Sequence, residues 1–223
     1  MSTPDRLAAF TRLCGKLDVR AAHPERAAAE QPVLATQLAA VDEPLGGGLP
    51  LGAVTELLCP AASCGGQLFF AHLLACARAA RQRVALIDAG DAFDPASHPA
   101  DLDRHLVWVR CAGVSSALQV ADLIVRDANF GLVVLDLKHA DARELRRTPP
   151  TMWYRLQRAV APASLALVVI TSRATVPSAQ LRLELAQPFT GAAFASGRAE
   201  LVAQLAPIVQ RQRLRAGREA TAG

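Results

Sequence analysis

Lysine is nearly missing from this chain: of 24 basic residues only Lys16 and Lys138 are lysines, the rest arginine. Any chemistry that needs an ammonium group beside a given loop therefore has two candidates. Aromatic residues are also scarce, at 4%, so the 52% hydrophobic content rests on Ala, Leu and Val, as expected of helices covering a buried parallel sheet. No hydrophobic run approaches the length of a transmembrane helix. The first residues, with Asp5 and Arg6 and no long apolar stretch, lack a signal-peptide pattern. The five cysteines, Cys14, Cys59, Cys64, Cys76 and Cys111, show neither zinc spacing nor C-x-x-C, which predicts reduced thiols in a cytoplasmic protein. The five histidines are scattered without an H-x-x-x-H pair, so no metal site is expected. A net charge of +4 is weak support for a nucleic-acid ligand.

What is present divides into three parts. Residues 1–32 comprise an amphipathic arm, with Leu7, Phe10, Leu13, Cys14 and Leu17 near helical spacing, and a linker rich in Ala, Glu, Arg and Pro. Residues 33–196 form the body, and residues 197–223 are expected to be a helix trailing into a basic tail. Within the body, strand patterns over 54–58, 83–88, 106–111, 132–136, 165–171 and 180–186 are separated by helical patterns over 67–81, 115–128 and 151–161. Strands separated by helices imply right-handed crossovers and a mostly parallel α/β sheet with ligand-facing loops at its carboxyl edge. Asp88 and Asp136 each end a hydrophobic strand at that edge.

The segment LGAVTELLCPAASCGGQL (51–68) runs a strand into a glycine loop. In the phosphate-binding loop G-x-x-x-x-G-K-S/T, backbone amides cradle the phosphates, the lysine neutralises them and the hydroxyl reaches Mg²⁺. Here the closing places hold Gly65-Gly66 or Gly66-Gln67, depending on register, and with only Lys16 and Lys138 in the chain no nearby lysine is expected to substitute. Cys59, Pro60, Cys64, Gly65, Gly66 and Gln67 are thus expected to keep the loop's shape without its chemistry. Cys64 precedes a helix, where amide dipoles favour a thiolate, but no base in sequence context makes it a nucleophile.

The order LGGGLPLGAVTELLCP, VALIDAGDAFDP, GLVVLD, LALVVITSR and LRLEL resembles the RecA recombinase core over roughly residues 33–187. The stretch IDAGDAFDP is its most specific part. The resemblance implies a RecA-like fold and points to what is missing: Gly90 stands where RecA has its water-activating glutamate, and Ser172 where it has its γ-phosphate-sensing glutamine. It places Asp136 at the metal-side aspartate and Asp94 on the adenine side. With lysine, glutamate and sensor all absent, the expectation is a pseudo-ATPase with no bound nucleotide, cofactor or metal, in which Asp136 caps a strand end.

RecA's two DNA-binding loops correspond to KHADARELRRTPP and to a shortened SRATVPSA, so filament-type DNA binding is not expected. Any DNA contact is expected to be weak or indirect, through Arg211, Arg213, Arg215 and Arg218. Among RecA-like proteins without ATPase motifs, the chain is similar to the ImuA family rather than to the shorter SulA family. That resemblance implies an SOS-regulated adaptor in translesion synthesis whose partner is the Y-family polymerase homologue ImuB, with RecA as a further contact. The alternatives are a nucleotide-dependent recombination regulator and a SulA-like inhibitor of cell division.

In RecA-like folds the strand matching 106–111 lies at the sheet edge, where a neighbour adds a strand and inserts an apolar anchor. Val107, Val109, Ala117, Ala121 and Ile124 are expected to line the anchor pocket, with Trp108 a further partner contact on the opposite face. Leu7, Phe10 and Leu13 of the arm are expected to dock in trans on another subunit or in cis on the same site.

Overall fold

The structure, a computed structural model, describes residues 31–98, 103–127 and 129–213. The arm residues Leu7, Phe10 and Leu13 and the tail residues Arg215 and Arg218 lie outside the described residues.

The chain enters through a small antiparallel pairing of β1 (Val33–Leu34) with β2 (Leu49–Pro50), with the short helix α1 (Ala39–Leu45) between them. The sequence predicts neither strand nor helix here, because each is too short to show periodicity. The Asp42 carboxylate holds the turn, accepting hydrogen bonds from Thr36 N, Thr36 Oγ1 and Gln37 N.

From there β3 (Ala53–Leu58), α2 (Gly66–Ala79), β4 (Val84–Asp88), β5 (Leu106–Arg110), α3 (Val114–Ile124) and β6 (Leu132–Asp136) follow. They are succeeded by α4 (Ala142–Arg147), α5 (Pro150–Val160), β7 (Ala166–Thr171), β8 (Leu181–Glu184), α6 (Arg198–Ala203) and β9 (Ile208–Gln212). The seven-stranded sheet runs β5-β4-β6-β7-β3-β8-β9, parallel throughout except for β9. This is the RecA-like α/β architecture that the motif order predicts.

Residue choice explains the layers. Every residue of β3, β4, β6 and β7 is buried, and their runs of Val, Leu and Ile suit strands covered on both faces. Alternate side chains then feed two cores. Leu57, Leu86, Val134 and Val168 meet Phe69, Phe70, Leu73 and Leu74 of α2 on one face. Ala85, Ile87, Val133, Leu135, Leu167 and Val169 meet α3 and α5 on the other. Helix α5 starts with Pro150 in its first turn, where the missing N–H costs nothing, and buries Trp153, Leu156 and Val160.

The carboxyl-terminal segment differs from expectation. Its helix stops at Ala203, and after Pro207 the chain forms β9, antiparallel to β8. Pro207 cannot continue a helix and biases the residue before it towards extended backbone. The β-branched Ile208 and Val209 that follow pair with an edge otherwise left open on β8.

Candidate functional site

Strand β3 delivers the glycine loop to the carboxyl edge of the sheet, where Cys59 N donates to Thr171 O at 2.8 Å. Ser63 (φ 55°) and Gly65 (φ 90°) are left-handed, which turns the chain into α2. At Gly66 a β-carbon would lie 2.7 Å from Cys59 Sγ, so the close approach of helix to strand needs a glycine. The loop thus keeps the strand–turn–helix shape of a phosphate cradle.

Its surroundings are filled from within the chain. A β-carbon at Gly65 would lie 2.6 Å from Leu205 Cδ2 and 3.0 Å from Phe189 Cε2, so two apolar side chains occupy the exit that a lysine stem would need. Phe189 N donates to Ser63 O at 2.9 Å, tying the 185–206 segment to the loop. A cavity of about 190 Å³ lined by Cys64, Phe189 and Leu205 is left between them.

The acids of the carboxyl edge are engaged as well. Asp88 is buried and accepts from Gly90 N, Ala92 N and Phe93 N, so it shapes its own loop. Asp136 accepts from Gln67 Nε2 at 3.1 Å and from Lys138 N at 3.0 Å. Burial pushes the Asp136 carboxyl up, partly offset by the Lys138 amide. Gln67 therefore bonds the carboxylate that a metal-side hydroxyl would face. At Gly90 a β-carbon would sit 2.7 Å from His139 Cβ, leaving no room for a carboxylate side chain. Asp94 is exposed and caps the turn Pro95–Ser97 through Ala96 N. Ser172 is half-buried in the loop after β7. Burial raises the Cys59 thiol, reinforced by neighbouring Cys64, so Cys59 is held as a neutral thiol. The donor set departs from that of a magnesium triphosphate site in three places: the loop's closing residue, position 90 and position 172.

One expectation needs correction. Lys138, remote in sequence, lies at the loop, with Nζ 3.4 Å from Ala61 O. Only β7 separates β6 from β3, so the loops after both strands meet at the same edge.

At the far side of the sheet β5 is the edge strand, as expected. Val107 and Val109 lie opposite Ala85 and Ile87 on the α3 face, and Val107 is 45% exposed. Trp108 lies opposite Leu86 on the other face, 5.1 Å from the Phe93 ring, with the Arg110 guanidinium over it at 5.3 Å. Arg110 also pairs with Asp91. Ala117 and Ala121, however, have no exposed surface and are core, not pocket lining. Helix α3 packs over β4 and β6, so this stripe faces the interior. Val109, Val120 and Ile124 are half-buried, the last two packed against the core, and Leu123 is 70% exposed. The spacing 120, 123, 124 signals Val120 and Leu123, which the sequence reading passed over for the stripe one residue on.

The basic tail also needs correction. Arg211 sits in β9, where its Nη2 donates to Pro177 O at 3.1 Å and burial lowers its pKa. It is a half-buried part of the sheet edge, whereas Arg213 is exposed. A further residue escaped the sequence reading altogether. Glu56, wholly buried in the middle of β3, accepts from Thr171 Oγ1 (3.1 Å), Thr175 N (2.6 Å), Val176 N (3.0 Å) and Arg182 Nε (2.7 Å). Its signal was one acid inside the apolar run AVTELL.

No protein-family model matches the chain. It is 38% identical to protein RecA of Leifsonia xyli subsp. xyli over 135 residues, covering 58% of this chain and 37% of that protein. Against protein RecA of Rhodospirillum centenum the identity is 33% over 134 residues, again 58% of this chain and 37% of the relative. Against that of Clavibacter michiganensis it is 38% over 108 residues, 47% of this chain and 29% of the relative. The match thus spans between 29% and 37% of the length of these RecA proteins. Across about half of its own length this chain is a partial relative of RecA, on a sheet of the matching kind.

Proposed function

We propose that this chain is a non-hydrolysing, RecA-like adaptor in DNA-damage-induced mutagenesis, acting through protein contacts. The observation that carries the reading is the phosphate loop closed on its own chain, with Leu205 and Phe189 against Gly65 and Gln67 bonded to Asp136. Phosphoryl transfer depends on positioning and charge neutralisation, and neither a loop lysine nor a water-activating acid stands in place. The open edge of β5 supports the adaptor role. Among the described residues no strand pairs with its outer side, so its main-chain groups would accept a partner strand, while Val107, Val109, Ile124 and Leu123 would receive an apolar anchor. The partner proposed is an ImuB-like Y-family polymerase homologue, with RecA as a further contact and DNA reached through them. The test pairs calorimetry with Mg-ATP against co-purification from damaged cells. No heat of binding, together with capture of a polymerase-like protein that Val107→Glu abolishes, supports the adaptor. In the same assay Ala121→Glu unfolds the chain, because it drives a carboxylate into the core.

Lys138 favours a second reading, in which the loop amides and this displaced ammonium bind nucleotide for recombination control without hydrolysis. Micromolar Mg-ATP affinity that Lys138→Ala removes would establish it in place of the first.

A further inference from the structure

Between α4 and the loop that follows β7 lies a cleft of about 270 Å³. Its apolar lining includes Leu145, Pro150, Trp153 and Pro177, and its basic lining is Arg146 and Arg173. Both arginines are exposed, and among the described residues neither forms a salt bridge. The acids closest in sequence to Arg146 are committed elsewhere. Asp141 caps α4 through Arg143 N and Glu144 N, which with Arg143 and Arg146 at longer range hold its carboxyl below the usual carboxylate range. Glu144 accepts from Ser115 N at the start of α3. Among the described residues the cleft therefore offers two guanidinium forks with no acid in salt-bridge contact.

Both walls are fixed in advance. Glu56 holds Thr175 N and Val176 N, Arg182 Nη2 donates to Val176 O at 3.3 Å, and Arg211 Nη2 donates to Pro177 O. Ser178 Oγ donates to Trp153 O at 2.9 Å, tying the loop to α5. Opposite, Thr148 Oγ1 bonds Glu144 O, and Pro149 and Pro150 restrict the backbone. A cleft held this way loses little entropy when it is filled.

We infer that this cleft takes an acidic segment of a partner protein, one apolar side chain entering the lining while flanking carboxylates pair with Arg146 and Arg173. Guanidinium forks match carboxylates in a two-pronged geometry. Single-stranded nucleic acid is the weaker match. Its grooves rely on rings for base stacking, and the one ring lining this cleft belongs to Trp153, which is 1% exposed. The inference stands independently of the adaptor reading and of the β5 edge.

Amide spectra of the full chain, titrated with short synthetic peptides, test it. The peptides carry Asp and Glu around a central Leu, Phe or Ser, and an oligothymidylate serves as the nucleic-acid probe. The Leu or Phe peptides are expected to shift amides of residues 145–148 and 172–176 saturably. The Ser peptide should bind roughly tenfold more weakly, as should the Leu and Phe peptides to the double variant Arg146→Glu, Arg173→Glu. That variant changes two exposed side chains and is expected to keep the parent melt. Absence of saturable shifts from both apolar peptides would overturn the inference. So would oligothymidylate moving the same amides, with steep salt dependence, while the peptides fail to displace it.

Discussion

Glu56 and Gly65 lie on one continuous stretch of chain, the first inside β3 and the second in the loop it feeds, yet charge is handled in opposite ways at the two places. Glu56 is a buried carboxylate with four hydrogen-bond donors around it, one of them the guanidinium of Arg182. At Gly65 no charge stands, and the space where a cation would extend holds Leu205 and Phe189. A buried charge that organises its own chain cannot be removed without leaving its partners unsatisfied. A charge whose partner is an external phosphate carries no such constraint.

The largest effect that would sharpen this contrast is expected from Glu56→Ala. It strands Arg182 and the amides of Thr175 and Val176, and urea unfolding should show a loss of about 3–5 kcal/mol. A loss below about 1 kcal/mol, the range of exposed pairs, would break the contrast. Gly65→Lys comes next. Restoring the lysine forces a side chain onto a left-handed residue and against Leu205, at a cost of about 1–3 kcal/mol, and calorimetry should still show no Mg-ATP binding. Turnover of ATP by that variant would mean that the loop had kept its chemistry.

Asp136→Asn is a subtler test. Burial lifts the carboxyl above its ordinary value of about 3.9, so the folded state takes up its proton more readily than the unfolded one. Stability from this group is then present at low pH and lost as pH rises from the unfolded value through the folded one. Asn removes that loss, so the melting temperature should rise at neutral pH and match the parent below about pH 4. A fall at neutral pH would show that the bonds the carboxylate accepts from Gln67 and Lys138 N outweigh its burial cost. The smallest effect belongs to Leu123→Glu. With 70% of the residue exposed, stability should stay within about 0.5 kcal/mol of the parent in the same unfolding assay.

Much of the fold was legible because its strands are long apolar runs, such as LVVLD and ALVVIT, separated by helix patterns of sufficient length. Elements too short to show a period escaped: β1, β2, α1 and α4. The arginines at 211, 213, 215 and 218 make this segment look like a basic tail, whereas Arg211 is tied to Pro177 and Ile208 and Val209 form the ladder of β9. At the phosphate loop the residue types were readable. That Lys138 reaches Ala61 from the loop after another strand was not, since such a contact has no local signature. Ala117 and Ala121 share a helical stripe with Ile124, and spacing alone gives the stripe but not the direction it faces.

By itself the sequence determined the layered parallel sheet, the order of its motifs and the absence of a lysine where the phosphate loop ends, because these depend on residue type and local period. Tertiary structure alone decided which side chains fill the space around that loop, how Glu56 pins the loop after β7, and which apolar groups of α3 stay outside. Each of these is a meeting of segments distant along the chain, and such meetings are set by packing the whole sheet at once.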